Sequence, residues 1–204
     1  MNKTIRKMVL SEFKNIFKSV EDDFTEGEYA PYDVLKKQLE KGVQKGYIFE
    51  HDQQDVAYAI CADRCINGYI LISLLAVHKE FRGEGLGSIF LEDLITSYSS
   101  CPGIIVEVEK PEHSRSSEER ALCESRIRFY QNAGFYLISD INYKIWDIPM
   151  HLMVRPLKAS LPTINRLIGQ IMFEIYLELM GKHYIHKLEI TTVSLPLSQD
   201  NKRL

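Results

Sequence analysis

Residues 74–88 read Leu-Leu-Ala-Val-His-Lys-Glu-Phe-Arg-Gly-Glu-Gly-Leu-Gly-Ser, and this stretch decides the fold. Leu74, Leu75, Ala76 and Val77 close an apolar run, starting at Tyr69, that has the length and content of a buried strand. Arg82, Gly83, Glu84, Gly85, Leu86 and Gly87 then make a glycine-rich turn. From Ser88 a helix opens, with Leu86, Phe90 or Leu91, Leu94 and Tyr98 recurring at helical spacing. The first amides of a helix have no partner inside it and carry roughly +0.5 of an elementary charge. A strand, a tight turn and a helix start therefore make an anion site, and glycines let that backbone approach a phosphate without an intervening Cβ. The spacing is not GxxxxGK[ST], which excludes a Walker loop. No Lys follows the last glycine, and the pattern is GxGxG rather than the GxGxxG of dinucleotide folds.

The turn does fit Arg-x-x-Gly-x-Gly, through Arg82, Gly85 and Gly87, and a second motif accompanies it. Residues 125–135 read Ser-Arg-Ile-Arg-Phe-Tyr-Gln-Asn-Ala-Gly-Phe, a helix end with a Phe129-Tyr130 pair and a Gly134 C-cap before Phe135. Together the two motifs resemble the GNAT N-acetyltransferase superfamily, and the resemblance extends from Thr4 to about Leu157. It implies an α/β fold, a mixed and mostly antiparallel sheet with helices on both faces. It also implies acetyl-CoA as cosubstrate and no metal. The loop Arg82, Gly83, Glu84, Gly85, Leu86, Gly87 and Ser88 would hold the pyrophosphate. The backbone of Leu75, Ala76 and Val77 would polarise the thioester carbonyl, an oxyanion-type role. The implied reaction is direct transfer of an acetyl group to a primary amine of a small molecule or peptide. No Cys or Ser stands out for a covalent intermediate. A CoA-binding sensor or regulatory module without turnover is the alternative from another class.

Two residues carry the expected chemistry. Glu107 lies in the short apolar strand 104–108, where a carboxylate is unusual. Either it sits on a half-exposed face or pairs with an Arg, or it serves as general base. An amine acceptor arrives mostly as ammonium and must lose a proton before attack, which a nearby carboxylate accepts directly or through water. In relatives that acetylate protein N-termini, a Glu in a Leu-Glu-Val strand has this role, and Val106-Glu107-Val108 resembles it; Glu109 stands behind it. Tyr130 is either a core tyrosine whose hydroxyl finds a backbone partner, or, as the resemblance implies, the general acid for the departing thiolate. Many relatives place an Asn just after this strand to contact the cosubstrate; here there is none, and the polar loop 110–119 follows.

The rest of the chain fits this frame. A first strand is expected over 4–9, a helix capped by Ser11 to about Val20, and a second helix from Pro31 to Gly42 or Gly46. Between the helices, Glu21, Asp22, Asp23, Glu26 and Glu28 form either a solvated loop or a wall for a cationic acceptor. Residues 47–50 and 56–62 form a hairpin, and Asn67-Gly68 turns the chain into the long strand. Residues 135–146 and 150–155 form a second hairpin around Asp147-Ile148-Pro149. His151 there is structural or touches substrate, and Arg126 and Arg128 either touch CoA phosphates or are solvated.

Composition sets outer bounds. The formal net charge of −3 with no basic block argues against a nucleic-acid partner. No stretch reaches the ~20 apolar residues of a membrane span and the N-terminal residues lack a signal-peptide pattern, so a cytoplasmic protein is expected. Cys61, Cys65, Cys101 and Cys123 lack metal-site spacing and read as free thiols. A boundary is placed near 157. Residues 1–157 form the acetyltransferase domain and residues 158–204 a C-terminal extension. In it, a helix capped by Thr163 runs to Met180 with Leu167, Ile171, Ile175 and Leu179 on one face, Gly181 ends it, and a weak strand follows over 184–193. The extension either packs on the domain or forms a homodimer contact.

Overall fold

The computed structural model describes residues 3–63 and 65–192. Among them β1 (Lys3–Lys7), α1 (Phe13–Asp23) and α2 (Tyr32–Glu40) lead into β2 (Gln44–His51), β3 (Gln54–Ala62) and β4 (Ile70–Val77). Then come α3 (Leu86–Ser97), β5 (Gly103–Glu109), α4 (Ser117–Asn132), β6 (Tyr136–Leu137), β7 (Ile141–Ile145) and β8 (Ile148–Pro156). The chain closes with α5 (Leu161–Tyr184) and β9 (Leu188–Thr192). Residues 193–204, where part of the expected last strand falls, lie outside the described residues. The strands form one sheet in the order β1-β2-β3-β4-β5-β8-β7-β9, with β6 also paired to β8.

One pairing breaks the antiparallel pattern. β4 and β5 are parallel and touch only at Ile70–Ile104, Leu71–Ile105 and Ile72–Val106. Beyond Ile72, β4 stays with β3, Leu74 to Val77 lying opposite Ile60 to Ala57. Beyond Val106, β5 stays with β8, Glu107 to Glu109 lying opposite Leu152 to Met150. The sheet therefore opens between the two central strands. The opening starts where the β3–β4 register shifts: Cys61 faces Ile72 and Ile60 faces Leu74, so Ser73 is an extra residue. A bulge of this kind bends its strand and increases the local twist.

Two-residue alternation sorts the strands' side chains onto two faces. Ile104, Val106 and Val108 meet α3 and α4 through Phe90, Leu94 and Ala133. On the other face, Ile48, Tyr58 and Ile60 meet Phe13, Phe17 and Val20 of α1 and Leu35 of α2. Beside them Leu71, Ile105 and Leu152 meet Ile164, Ile168 and Met172 of α5. The last helix thus packs into the sheet's own core, next to α2. Gln38 Nε2 donates to Leu179 O at 2.7 Å, and Asn67 Nδ2 to Ile171 O at 3.2 Å, fixing it there.

Several local expectations shift. α5 is capped by Ser160, whose Oγ accepts from Thr163 N, with Pro162 in the first turn; Thr163 is inside the helix. Its buried row is Ile164, Ile168, Met172 and Tyr176 beside Ile171 and Ile175, while Leu167 is exposed. The apolar face is turned because the row at i, i+4 spacing seats on the sheet. Gly181, with φ of 71°, breaks the helix as expected. α1 is preceded by Glu12, not capped by Ser11, because the Glu12 carboxylate accepts from Val9 N and Arg6 instead. The late hairpin turns at Trp146-Asp147, both at positive φ as a two-residue turn of the primed type requires, so Ile148 and Pro149 already belong to β8. The polar loop after β5 is short, since α4 begins at Ser117 with Ser116 as its cap.

No helix among the described residues is long and apolar enough to cross a membrane.

Candidate active site

One wall of the opening is the turn from β4 into α3. Gly83 and Gly85 have φ of 86° and 76°, a region that strains L side chains, and a Cβ on either would meet nothing within 4 Å. The backbone there is forced into its path and faces open space. Gly85 is the N-cap of α3, and its carbonyl accepts from Ser88 N and Ile89 N. The amides of Gly83, Glu84, Gly85, Leu86 and Gly87 donate to no acceptor among the described residues. Five free amides at a helix start are what an anionic ligand needs. Gly87 answers a different need: a Cβ there would sit 3.1 Å from Val77 Cγ2, so the glycine lets α3 lie close against β4. Leu75, Ala76 and Val77 line the β4 side beyond its contact with β5.

Arg82 points away from this amide row. Its Nε donates to Val77 O at 2.9 Å, and its Nη2 pairs with Asp23 Oδ1 at 2.6 Å. Asp23 ends α1, is nearly buried, and also accepts from Tyr58 Oη at 3.1 Å. The guanidinium thus ties the loop to the end of β4 and to α1.

The other wall is β5. Glu107 stands at the first position after the strands part. Its carboxylate meets no cation among the described residues. Tyr143 of β7 donates to Oε1, and Tyr176 of α5 lies 2.8 Å from both Oε1 and Oε2. Enclosure by protein pushes the Glu107 carboxyl above its ordinary value, and the two phenol donors pull part of the way back. Some of its surface stays open to solvent. The result is a deep carboxylate with a raised proton affinity and neutral partners.

Tyr130 lies on the opposite face, on α4. Its ring packs edge-on against Phe129 and Phe135, with centroids 5.1 and 5.3 Å away. No described residue bonds its hydroxyl, which departs from the expectation of a core tyrosine with a backbone partner. Burial pushes its phenol up to about 12, so it stays protonated and able to donate. Gly134, just beyond, has φ of 75°, and a Cβ there would collide with the Arg155 guanidinium, which donates to Ala133 O. This packing fixes the helix end that carries Tyr130.

Glu109, two residues after Glu107, belongs to a charged cluster. Arg126 Nη1 lies 3.3 Å from both Glu109 Oε2 and Glu28 Oε1. Burial and the Glu28 charge raise the Glu109 carboxyl, against the pull of Arg126. Glu28 therefore points inward, while Arg126 is committed to the two carboxylates and Arg128 pairs with Glu124. A cavity of about 260 Å³ opens at this end of β5, lined by Glu26, Glu28, Glu109, Lys110 and Ile148 among others. His151 faces Glu112 at 3.7 Å, and burial lowers its pKa. All four cysteines are free thiols, and burial raises those of Cys61, Cys65, Cys101 and Cys123 alike, which disfavours a thiolate nucleophile.

The turn and Leu75 to Val77 thus lie on the β4 side of the opening and Glu107 on the β5 side with its carboxylate toward α5, while Tyr130 packs on the face that α3 and α4 cover. Sequence reasoning missed Tyr143 and Tyr176 as partners of Glu107. The signal for the second was the row Ile164, Ile168, Met172, Tyr176, an apolar i, i+4 series ending in a hydroxyl.

A sheet that splits between two parallel central strands, with a free-amide helix start on one side and a carboxylate on the other, can hold an anionic group beside a proton acceptor. Residues 44–137 match the family model described as an acetyltransferase (GNAT) domain. No curated protein matches the sequence. Among solved structures, a putative GNAT-family acetyltransferase from Bacteroides thetaiotaomicron is 22% identical, with 87% of this chain and 98% of that one covered and a TM-score of 0.70. The ribosomal-protein-S18-alanine N-acetyltransferase from Escherichia coli is 15% identical, with 78% and 96% covered and a TM-score of 0.56. The spermidine N-acetyltransferase from Vibrio cholerae, solved with CoA and spermine, is 11% identical, with 76% and 95% covered and a TM-score of 0.57. At these identities the structural likeness speaks to the fold.

Proposed function

We propose that this protein is an N-acetyltransferase that moves an acetyl group from acetyl-CoA to a primary amine by direct transfer. The observation that carries this reading is the pairing, across one opening in the sheet, of five unpartnered amides on the β4 side with the cation-free carboxylate of Glu107 on the β5 side. Acetyl-CoA would supply the acetyl group as a thioester. The amides from Gly83 to Gly87 would hold its pyrophosphate, and Ser88 follows them in the first turn of the helix. Backbone groups of Leu75, Ala76 and Val77, left without a β5 partner, would orient and polarise the carbonyl. Glu107 takes the proton from the incoming ammonium, and Tyr130 donates one to the departing sulfur. The buried cysteines take no part.

A small amine fits the acceptor side better than a peptide. α5 covers the sheet beside Glu107. The α1–α2 loop meets the β7–β8 hairpin, a Cβ on Gly27 lying only 3.2 Å from Ile148 Cδ1. In this reading residues 1–157 hold the transferase core and the segment after them closes its acceptor side, in a cytoplasmic protein.

Thermal melting with acetyl-CoA, CoA and NAD tests the cosubstrate. A ligand at ~100 times its Kd adds about 2.7 kcal/mol to native stability, worth a few degrees in Tm for a chain this size. Shifts with acetyl-CoA and CoA but not NAD are expected, followed by thiol release in a screen of primary amines. No shift with CoA compounds would overturn the anion-loop reading. A CoA shift with no turnover on any amine would favour a binding module instead.

A further inference from the structure

Tyr176 stands outside both sequence motifs, yet it reaches the residue on which the proposed chemistry turns. It sits in the middle of α5, 69 positions beyond Glu107 in the chain, with its ring buried in the core between α5 and the sheet. Its hydroxyl lies 2.8 Å from each oxygen of the Glu107 carboxylate, and Tyr143 donates to Oε1 from β7. A tyrosine in that core that only filled space would do so equally well as phenylalanine, since a buried hydroxyl costs free energy unless it is bonded.

We propose that Tyr176 is a positioning residue of the acetyltransferase: its hydroxyl, with that of Tyr143, clamps the Glu107 carboxylate in one orientation at the mouth of the sheet opening. The C-terminal helix is then part of the catalytic apparatus. This proposal rests on the reading of Glu107 as the base.

The geometry explains why the clamp uses phenols. An arginine would hold the carboxylate equally firmly but would stabilise its charge strongly and drain its basicity. Two neutral donors orient it and leave it able to accept a proton. Oε1 takes both phenols, so Oε2, bonded by Tyr176 alone, keeps free acceptor capacity for the incoming amine or a bridging water. The titratable groups that reach Glu107 are Tyr143 from β7 and Tyr176 from α5; the facing position on β8 is the apolar Leu152, and the last β4 residues paired beside it are the apolar Leu71 and Ile72. A change in Glu107 titration on altering Tyr176 is thus read without a third charged group intervening.

The experiment is NMR titration of isotope-labelled glutamate side chains in the full chain, with Glu107→Gln identifying the resonance. Tyr176→Phe removes a donor to the charged form, so the Glu107 midpoint is expected to rise by roughly one pH unit, about tenfold in proton affinity. A difluorinated tyrosine at position 176 keeps the shape, strengthens the donor and should move the midpoint down; it decides the question alone if Tyr176→Phe fails to fold. A midpoint unmoved by both changes would overturn the positioning role. Thiol release from acetyl-CoA with n-butylamine separates this from the underlying reading. Loss of release in Glu107→Gln with an unmoved midpoint in the Tyr176 variants overturns the clamp alone. Full release in Glu107→Gln overturns the base assignment, and the proposal with it.

Discussion

The two walls of the opening are made in opposite ways. The β4 wall is contiguous: its amides, its helix start and its glycines all lie within residues 74–88. The β5 wall is assembled from afar. Glu107 comes from β5, Tyr143 from β7 and Tyr176 from α5, while Tyr130 of α4 stands on the other face of the sheet. The contiguous wall works through backbone geometry and tolerates any side chain that the φ angles allow. The assembled wall works through side-chain chemistry and depends on the packing of the last helix and a hairpin. Variants in the first should therefore act on cosubstrate binding, and variants in the second on the rate with binding preserved.

The sharpest test of that division is Glu107→Gln. Loss of a general base is expected to lower kcat/KM by roughly 10²- to 10⁴-fold, while the Tm shift caused by CoA is retained. An equal loss of CoA binding would erase the distinction between the walls. The pH dependence carries a sign as well. The base must be ionised, so wild-type kcat/KM should fall as pH drops through the raised Glu107 value, and that acid limb should vanish in the variant. For folding, a carboxyl raised in the native state contributes stability that is fully present below the unfolded value near 4.3 and lost as pH rises through the folded one. The stability of Glu107→Gln relative to wild type should accordingly improve as the pH is raised across that window.

Tyr130→Phe comes next. Its hydroxyl bonds no described residue, so the change should cost little stability. A loss of roughly 10²-fold in kcat with CoA binding intact is expected from steady-state thiol release. Unchanged kcat would return Tyr130 to the core.

These two residues also show how far the sequence could be read. The loop was legible because its chemistry is local: glycine spacing, an apolar strand before it and a helix after it are all visible within fifteen residues. Glu107 was legible as an anomaly, a carboxylate in an apolar strand. Its partners were not, because Tyr143 and Tyr176 lie 36 and 69 positions away and only the fold brings them together. The turned face of α5 has the same origin. The expected row held Ile171 and Ile175, which are buried, but packing on the sheet adds Ile164, Ile168, Met172 and Tyr176 and leaves Leu167 outside. Arg82 was legible as part of the motif, but its turn toward Asp23 depends on where α1 ends, 59 positions earlier.

On the contiguous wall, Gly85→Val is the matching probe. At φ of 76° a β-branched side chain costs about 1–2 kcal/mol in backbone strain, and its bulk would enter the space into which the amides point. A drop in acetyl-CoA affinity of at least tenfold is expected by calorimetry, with the Glu107 titration unmoved. Normal affinity would mean that the anion sits elsewhere.

The smallest effect tests whether the assembled wall depends on the start of its last helix. Ser160 Oγ accepts from Thr163 N and shares a hydrogen bond with Thr163 Oγ1 at 2.9 Å, satisfying part of the first turn of α5. Ser160→Ala should cost about 1 kcal/mol, seen as a fall of a few degrees in Tm. Tyr176 lies four turns further along, held by Ile168, Ile171 and Met172 in the core, so fraying at residue 161 should not reach it. Activity well below Tm is therefore expected to match wild type. A large loss of kcat in a folded Ser160→Ala protein would mean that α5 moves as a rigid unit, and that the geometry at Glu107 is set from the far end of the helix rather than by the core around Tyr176.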